Sequence, residues 1–343
     1  MKAAIIHGAR DLRIGTAELP PLGPTDVQVR IRAGGICGSD LHYYQHGGFG
    51  TIRVREPIIP GHEIAGEVTA TGTGVTRVRL GDRVAVDPSR PCGTCRYCRE
   101  GAPRHCLEMR FLGSAMRFPH VQGGFRESLV CTEAQAVPVP PGLPLEHAAF
   151  AEPLAVCLHA ASQAGPLQGR RVLVTGAGPI GALCVLVARH AGAREVVVTD
   201  LADAPLAIAR RIGADLALNT RADPAALDRF GADKGWFDVV FECSGAGPAL
   251  AAAVAAARPG AVIVQVGLGG DVTLAANTLV AKELQLRGTF RFDREFEWAV
   301  GFIASGAIQV APLLTEVVPL DEAVRAFELA GDRTRAMKVQ LAL

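Results

Sequence analysis

The stretch Arg171-Val172-Leu173-Val174-Thr175-Gly176-Ala177-Gly178-Pro179-Ile180-Gly181 decides how the second half of the chain folds. Its Val-rich start, Arg171 to Val174, predicts a buried strand, and Ala182 to His190 predicts a helix. Between them, three glycines permit a tight turn, close approach of a phosphate to the backbone and close packing of helix on strand. Ordinary turns also use glycine, but free N–H groups at a helix start attract a pyrophosphate. Gly176 to Gly181 therefore predict a dinucleotide site.

Alternating strands and helices continue beyond this motif. Further Val-rich strands, each followed by a helix-type segment, are predicted at Glu195 to Thr199, Phe237 to Glu242 and Ala261 to Val266. This alternation predicts a parallel sheet with helices on both faces, the Rossmann or doubly wound α/β fold. Asp200 ends the second strand, nineteen residues after Gly181. A carboxylate there would bind the adenosine ribose and repel a 2′-phosphate, so we predict NAD rather than NADP.

The first half of the chain has a different pattern. It is rich in Gly and Pro, and Val27 to Arg32 alternates apolar and polar residues as a half-buried strand does. We predict a β-rich catalytic domain over residues 1–152, the dinucleotide domain over residues 153–290, and a C-terminal segment, residues 291–343, that returns to the first domain.

Four cysteines stand close together within residues 90–108: Cys92, Cys95, Cys98 and Cys106. Short Cys-x-x-Cys steps let sulfurs reach one ion from a tight turn, and four thiolates make a closed, structural zinc site. A redox dithiol needs only one such pair, and a disulfide knot is typical of secreted domains. The spacing therefore predicts a structural zinc lobe.

Composition limits the class of protein. The 343 residues are 49% hydrophobic, which suffices for two ordinary cores. Every long apolar run is interrupted by a charged residue or by a helix-breaking residue. A net charge of +1 at pH 7 argues against nucleic-acid binding, which needs a basic excess or stripe. Nine cysteines, with no apolar leader after Met1, indicate a reducing, cytoplasmic setting. We expect neither a membrane nor a nucleic acid as a partner.

A second group of ligand types is spread over two motifs, Cys37-Gly38-Ser39-Asp40-Leu41-His42 and Gly61-His62-Glu63. A thiolate, an imidazole and a carboxylate can hold a catalytic zinc and leave one coordination position open. A buried cysteine is also an ordinary small apolar residue, and a His beside a Glu can be a satisfied pair. On spacing alone, the two interpretations are equally supported.

These motifs, in this order with the four-cysteine lobe and the glycine pattern, resemble the zinc-containing medium-chain alcohol and polyol dehydrogenases over essentially the whole chain. Within this family the resemblance extends furthest to the L-idonate 5-dehydrogenases, through these runs: Gly35 to Gln45, Met109 to Phe111, Gly113 to Met116, Phe118 to Val121 and Phe150 to Val156. The resemblance implies a GroES-like catalytic domain joined to the Rossmann domain, with two zinc ions per subunit, one catalytic and one structural. It also implies a homo-oligomer, a tetramer or a dimer, formed by edge pairing of the cofactor sheets.

The resemblance assigns metal ligands to single residues. Cys37 and His62 would ligate the catalytic zinc. Glu63 and Glu152 are the two carboxylates that could complete its shell, and which of them binds directly stays open.

The resemblance also implies a proton path and a nicotinamide pocket. Ser39 would take the proton of the substrate hydroxyl and pass it, through the cofactor ribose, to His42. The backbone at Val266-Gly267-Leu268 and Phe290-Arg291 would border the nicotinamide.

The implied reaction is oxidation of a secondary hydroxyl, with zinc as Lewis acid and NAD as hydride acceptor. Tyr43, Phe111 and Arg291 would line the substrate pocket. A sugar acid also brings a carboxylate, which an Arg fork binds well. The candidates for that contact are Arg110, Arg117, Arg291 and His120. We therefore predict a sugar-acid dehydrogenase that converts L-idonate to 5-ketogluconate.

Three other functions are possible: one differs from this prediction in the substrate, and two differ in the class of protein. A neutral polyol dehydrogenase acting on sorbitol, xylitol or galactitol would use the same zinc and cofactor. A zinc hydrolase would need no nicotinamide, and the glycine motif with Asp200 speaks against it. A non-catalytic protein with this fold is disfavoured because Ser39 and His42 accompany an intact set of zinc ligands.

Overall fold

The structure, a computed structural model, describes residues 1–343. Its strands are β1 (Lys2–Gly8), β2 (Asp11–Thr16), β3 (Asp26–Gly35), β4 (Gly48–Phe49), β5 (Ile52–Arg53), β6 (Glu63–Thr71), β7 (Arg83–Val86), β8 (Ser89–Arg90), β9 (Arg110–Phe111), β10 (Ser128–Thr132), β11 (Ala136–Pro138), β12 (Arg171–Thr175), β13 (Glu195–Asp200), β14 (Leu216–Asn219), β15 (Phe237–Glu242), β16 (Ala257–Gln265), β17 (Gln285–Gly288), β18 (Leu314–Pro319) and β19 (Lys338–Ala342). Its α-helices are α1 (Gly38–His46), α2 (Arg96–Arg99), α3 (Leu145–Ala148), α4 (Ala151–Ala164), α5 (Pro179–His190), α6 (Asp203–Arg211), α7 (Gly247–Ala256), α8 (Ala276–Ala281), α9 (Glu295–Ala304) and α10 (Ala323–Gly331).

The second half of the chain forms one six-stranded parallel sheet in the order β14-β13-β12-β15-β16-β17. Counted from β12, this is the order of the doubly wound dinucleotide fold, and the strand order reverses between β12 and β15. The central strands are buried on both faces, and in β12 the side chains of Val172, Leu173 and Val174 are inaccessible to solvent. The predicted Rossmann domain is therefore confirmed.

The helix after β12 begins earlier than the sequence pattern indicated. α5 starts at Pro179 rather than Ala182, with Gly178 as its extended N-cap. Proline is favoured at the first helical position because its missing N–H would have no partner inside the helix, and its fixed φ suits the first turn. Gly181, the last glycine of the motif, therefore lies inside the helix.

The first half builds a seven-stranded sheet whose main path is β11-β7-β6-β3-β19-β18, with β10 paired to β3. In β3, Val27, Val29 and Ile31 are buried, whereas Arg30 and Arg32 are exposed. Successive side chains of a strand point to opposite faces, so one face of β3 joins the core and the other meets solvent. The strand predicted at Val27 to Arg32 is present.

The C-terminal strands belong to this first sheet. β19 pairs antiparallel with β3, and β18 pairs parallel with β19. The chain therefore returns to its first half after it has built the parallel sheet. As a result, Lys338, the first residue of β19, lies beside Glu63, the first residue of β6. The predicted domain limits stay predictions, and the first of them falls at the start of α4.

Helix α4 joins the two sheets. It packs against α5 and α9. The largest apolar cluster runs from Ala33 and Ala65 of the first sheet, through α4, to Val172 and Val174 of the second. Packing of this kind fixes the position of one sheet relative to the other. None of the helices combines the length and the apolar character that a membrane span requires.

Candidate active site

The lobe between β8 and β9 gathers four sulfur atoms within 4.8 Å of one another, those of Cys92, Cys95, Cys98 and Cys106. The Sγ atoms of Cys92 and Cys98 are 4.0 Å apart, and those of Cys95 and Cys98 are 3.6 Å apart. A disulfide needs about 2.05 Å. Four sulfurs at about 2.3 Å from one tetrahedral zinc lie about 3.8 Å from each other. The donor set therefore fits a closed zinc site and does not fit disulfides.

Hydrogen bonds prepare these sulfurs for a cation. The Sγ of Cys92 accepts the N–H of Cys95 at 3.3 Å, and the Sγ of Cys106 accepts the N–H of Cys92 at 3.1 Å. Hydrogen bonds from the hydroxyl and N–H of Thr94 lower the pKa of Cys92 to about 6. The thiolate form, which is the form that binds metal, is thus favoured at Cys92.

A second cluster is enclosed between the start of α1 and the start of β6. Cys37 is the N-cap of α1, while His62 and Glu63 lie at the entry to β6, and the ligand atoms of the three lie within 4.8 Å of one another. His62 is 6% exposed and Glu63 is 1% exposed. Sulfur, nitrogen and oxygen ligands in such a shielded place fit a zinc ion that keeps one position open.

Lys338 holds Glu63 in this cluster. Its ammonium donates a hydrogen bond to Oε1 of Glu63 at 2.6 Å and lies 2.5 Å from Oε2, a buried oxygen that accepts no hydrogen bond. The ammonium compensates the buried charge of Glu63, and each carboxylate oxygen keeps a second lone pair that could ligate a cation. Glu152, on α4, lies outside the cluster, and burial raises its pKa to about 7. The fold thus brings Glu63, and not Glu152, to the other two ligand atoms.

Asp40 connects the two segments that carry these ligands. Its Oδ2 accepts the N–H of Cys37 at 3.0 Å, and its Oδ1 accepts the N–H of Gly61 at 3.2 Å. The same Oδ1 lies 3.7 Å from Nδ1 of His62. Asp40 is fully buried. At 3.7 Å the carboxylate is beyond hydrogen-bond distance of the ring, and its two hydrogen bonds link the segment of Cys37 to that of Gly61.

Ser39 and His42 lie three residues apart on α1, the helix that Cys37 caps. Ser39 is half-buried, whereas His42 is exposed. The His42 ring lies 5.7 Å from the ring of His46. Partial burial and the nearby charges of His46 and Arg333 lower the pKa of His42 below its usual 6.5. His42 is therefore neutral at neutral pH and can accept a proton in contact with solvent.

A cavity of about 460 Å³ opens beside the buried cluster. Phe111 joins the two, since it lines the cavity while its ring lies 5.6 Å from the ring of His62. The lining contains no Asp or Glu. It includes four basic side chains: Arg104, His105, Arg117 and Arg291. A cavity with this lining concentrates anions.

Arg291 is the most available of these cations. Its guanidinium carbon lies 4.4 Å from the ring centre of Phe111 and 4.8 Å from that of Phe290. Its Nη2 donates to Sδ of Met116 at 3.1 Å, and it forms no ion pair. Burial lowers the pKa of Arg291 to about 10, so the side chain stays charged at neutral pH. Its planar fork is thus held between aromatic rings with most of its donors free.

Two of the predicted arginines are placed differently. Arg117 lines the cavity, but it donates to the carbonyl oxygens of Met109 at 2.8 Å and Leu107 at 2.5 Å, and it pairs with Glu108 at 2.9 Å. Its N–H donors are therefore used mainly within the loop of residues 107–109 and not towards the cavity. Arg110 is exposed on β9 and does not line the cavity. This position disfavours Arg110 as a substrate contact, and its role stays a prediction.

His120 and Tyr43 are buried. Nε2 of His120 accepts the N–H of Arg55 at 2.9 Å, and its Nδ1 lies 2.7 Å from the carbonyl oxygen of Arg117. Both ring nitrogens are engaged, which disfavours His120 as a substrate contact, and its role stays a prediction. The hydroxyl of Tyr43 accepts the N–H of Ala115 at 3.1 Å and braces the wall of the cavity.

The glycine motif has the geometry of a phosphate cradle. Gly176 has φ +86°, and a Cβ at Gly181 would overlap the carbonyl oxygen of Gly176. A Cβ at Gly178, by contrast, would meet nothing within 4 Å, so open space lies at the N-terminus of α5. Pro179 and Ile180 form the first turn beside this space and are half-buried. The residues present therefore fit a pyrophosphate.

Asp200 ends β13 beside this turn. Its Oδ2 accepts the N–H of Ala177 at 2.7 Å, and its Oδ1 accepts the N–H of Ala202 at 3.0 Å. These bonds fix the half-buried carboxylate at the carboxyl edge of the sheet. Each oxygen has a second acceptor position, which leaves capacity for the hydroxyl groups of a ribose.

The predicted nicotinamide pocket also lies at the carboxyl edge of the sheet. Val266, Gly267 and Leu268 follow β16, while Phe290 and Arg291 come just after β17. Leu268 is 80% exposed and Phe290 is 41% exposed. Large apolar side chains with this exposure are typical of a surface that a ligand covers, and Phe290 also lines the cavity.

Several residues of the site were not predicted from the sequence. Asp40 had a signal, since a carboxylate three residues after Cys37 fits a capping pattern. Lys338 is one of four lysines in the chain, but it lies 275 residues after Glu63, and no local pattern announces such a pair. Arg104 and His105 belong to the lobe, and only the folded chain turns them towards the cavity.

Two family models match the chain. The one described as "Alcohol dehydrogenase GroES-like domain" matches residues 23–141, and the one described as "Zinc-binding dehydrogenase" matches residues 179–305.

Individual relatives resemble nearly the whole chain. L-idonate 5-dehydrogenase (NAD(P)(+)) of Escherichia coli strain K12 is 45% identical over 314 residues, which cover 91% of this chain and 90% of that protein. Sorbitol dehydrogenase of Bacillus subtilis strain 168 is 35% identical over 334 residues, or 96% of this chain and 93% of that protein. The crystal structure of L-idonate 5-dehydrogenase from Escherichia coli K-12 superposes with a TM-score of 0.94 at 41% identity and covers 100% of this chain and 98% of that one.

Proposed function

The chain belongs to the zinc-containing medium-chain alcohol and polyol dehydrogenase family, and on this premise we propose that it oxidises L-idonate to 5-ketogluconate with NAD. The observation that carries the choice of a sugar acid is the cavity beside the buried cluster, whose lining includes Arg104 and Arg291 but no Asp or Glu. The 45% identity to the L-idonate enzyme supports the same choice.

Charge explains why an acid suits this cavity. A sugar acid presents one carboxylate and a row of hydroxyls. Arg291 stands between Phe111 and Phe290 with a planar fork that matches a carboxylate, and it has no competing anion. Arg104 adds positive potential at the same wall. Burial and neighbouring cations lower the pKa of His105, so its ring is neutral at neutral pH. A neutral polyol would leave this desolvated cation without a partner.

We also propose the two zinc sites. Cys37, His62 and Glu63 would hold a catalytic zinc, and the four cysteines of the lobe a structural one. When bound, the catalytic zinc supplies a Lewis acid for the substrate hydroxyl, and NAD supplies the acceptor of hydride. The hydrogen bond from Lys338 would hold the carboxylate of Glu63 in place, and Asp40 would place a negative charge 3.7 Å from Nδ1 of His62.

Ser39 and His42 would move the proton that the hydroxyl loses. Ser39 is half-buried and lies two residues beyond Cys37 and three before His42, on the helix that Cys37 caps. His42 is exposed and neutral at neutral pH, so it can take the proton and release it to water. Phe49 packs at 5.8 Å from the His42 ring and limits its movement.

NAD is the proposed cofactor. The open space at Gly178 would accept the pyrophosphate, and Asp200 would accept the ribose hydroxyls. The carboxylate of Asp200 would repel a 2′-phosphate. Asp200→Ser is therefore expected to reduce the ratio of kcat/KM with NAD to that with NADP by about tenfold or more. An unchanged ratio would remove Asp200 from the cofactor assignment.

The test of the substrate is a comparison of acid and neutral substrates with zinc-loaded protein, followed by nicotinamide absorbance. L-idonate should give a higher kcat/KM than sorbitol, xylitol and galactitol. Arg291→Ala should raise KM for L-idonate about 10- to 100-fold, the worth of a charge-assisted pair, and change KM for sorbitol much less. Arg110→Ala is the matched control, because Arg110 is exposed outside the cavity.

A neutral polyol is the second candidate substrate, and the 35% identity to a sorbitol dehydrogenase favours it. The same experiment separates the two proposals. If Arg291→Ala changed KM for L-idonate and for sorbitol equally, the sugar-acid substrate would be excluded, while the proposed oxidation of a hydroxyl group would stand. If the wild-type protein oxidised none of these hydroxyl substrates, both proposed substrates would be excluded.

We further propose a homo-oligomer, a dimer or a tetramer. The edge strand β17 has all four residues exposed, and its backbone has no neighbour on the outer side. Edge strands of this kind pair with a second copy. Light scattering of the purified protein tests this. The nine free thiols favour a reducing compartment, and we propose the cytoplasm.

A further inference from the structure

One buried acid has no function in the proposed reaction. Glu242 is the last residue of β15 and is completely inaccessible to solvent. It lies opposite Thr175, the last residue of β12, at the point where the strand order of the parallel sheet reverses. Dinucleotides bind outside the carboxyl ends of the strands at this point in the fold. A charge buried there is therefore close to the cofactor groove.

Only neutral donors surround the carboxylate of Glu242. Its Oε1 accepts the N–H of Ser244 at 3.0 Å, the hydroxyl of Thr175 at 3.1 Å and the hydroxyl of Ser244. Its Oε2 accepts the N–H of Gly245 at 2.9 Å and the side-chain amide of Gln265 at 2.5 Å. Both oxygens act only as acceptors, which is the pattern of an ionised carboxylate. No Lys, Arg or His forms an ion pair with Glu242, so its charge is not cancelled locally.

Glu242 also joins the loops that border the proposed nicotinamide pocket. Its backbone carbonyl accepts the N–H of Val266 at 2.9 Å and the N–H of Gly267 at 2.8 Å. The side-chain amide of Gln265 donates to the carbonyl of Gly267 at 2.9 Å. A Cβ at Gly267 would overlap the backbone of Gly245, so the two loops touch directly. The floor of the groove is thus held in place at Glu242.

We propose that Glu242 is a positioning residue whose buried charge makes the protein bind the oxidised cofactor in preference to the reduced one. The nicotinamide ring is cationic in NAD⁺ and neutral in NADH. An anion held by fixed donors in a shielded place acts on a nearby cation more strongly than an anion in water. The charge would favour capture of NAD⁺ and release of NADH after turnover. This inference depends on the proposed dinucleotide site.

The experiment measures dissociation constants of NAD⁺ and NADH for the full-length, zinc-loaded protein by calorimetry. In Glu242→Gln, the Kd of NAD⁺ should rise about tenfold more than the Kd of NADH, because the charge is lost while the shape is kept. Ser244→Ala is the matched control. It removes one donor to Glu242 and keeps the charge, so it should change both dissociation constants by the same factor.

The outcomes are distinguishable. Equal changes for NAD⁺ and NADH in Glu242→Gln would overturn the electrostatic proposal and leave Glu242 as a structural residue. Should that variant fail to fold, Glu242→Asp keeps the charge on a shorter side chain and should preserve the ratio of the two dissociation constants, and a shifted ratio would overturn the proposal. Failure of the wild-type protein to bind either cofactor would instead overturn the proposed function.

Discussion

The four-cysteine lobe takes all its ligands from residues 92–106, whereas the buried cluster draws Cys37, His62 and Glu63 from two separate segments. The supports of the sulfurs in the lobe are N–H groups a few residues away. The supports of the buried cluster are charged side chains, Asp40 and Lys338, and Lys338 arrives on the last strand of the chain.

This difference predicts that substitutions in the two clusters have different effects. A local site can assemble as soon as its segment meets a metal, so its binding free energy contributes to folding. A non-local site exists only after β3, β6 and β19 have paired, so it depends on the fold and contributes chemistry. Damage to the lobe should therefore reduce stability, and damage to the buried cluster should reduce activity.

The largest expected effect is at the buried cluster. Cys37→Ser should lower kcat/KM about a thousandfold, since a polarising metal is worth several kcal/mol. Zinc content should fall from two ions to one per chain, with little change in Tm. Cys131→Ala is the control, because Cys131 is buried but belongs to neither cluster of ligand residues. Two zinc ions retained in Cys37→Ser would exclude Cys37 as a ligand.

The opposite result is expected in the lobe. Cys95→Ser should also lose one zinc ion, but its main effect should be a fall in Tm of roughly 10 °C, the equivalent of a few kcal/mol in a domain of this size. Because Arg104 and His105 form a wall of the cavity, KM for L-idonate should rise as well. Calorimetry and kinetics together check this. A stable variant with a normal KM would contradict the division between the two clusters.

Lys338→Met sharpens the comparison further. It leaves the buried Glu63 without its cation, which should cost about 3 to 5 kcal/mol of the free energy of unfolding. Urea denaturation measures this loss. Lys2→Met is the matched control, because Lys2 pairs with Asp321 on the surface at 2.8 Å and exposed pairs contribute little. A loss as small as that of the control would mean that Glu63 does not need Lys338.

The smallest expected effect is at the exposed end of the proton path. His42→Gln should lower kcat about tenfold, at or below the low end for a positioned base, because water reaches this position. The pKa of His42 is lowered from 6.5, and its neutral form accepts the proton, so wild-type kcat should rise with pH through a value below 6.5. The variant should lose that rise. A pH profile of kcat that is unchanged would remove His42 from the path.

Predictions from sequence succeeded where the signal was local. The alternation of strands and helices and the family were confirmed, because both depend on spacing along the chain, and the dinucleotide site at the glycine motif stays a prediction. The start of α5 was missed by three residues because Pro179 opens the helix. The hydrogen bonds of His120 to Arg55 and to the carbonyl of Arg117 could not be predicted, because these partners meet His120 only in the folded chain.

The sequence by itself determined the parallel dinucleotide sheet, the four-sulfur lobe and the family, because each of these depends on residues that are neighbours in the chain. Only the tertiary structure placed the carboxylate of Glu63 within 4.8 Å of the ligand atoms of Cys37 and His62. It also brought Lys338 to Glu63 and turned Arg104 towards Arg291. The physical reason is that a buried charge is stable only beside its partners, and strand pairing selects those partners from distant parts of the chain.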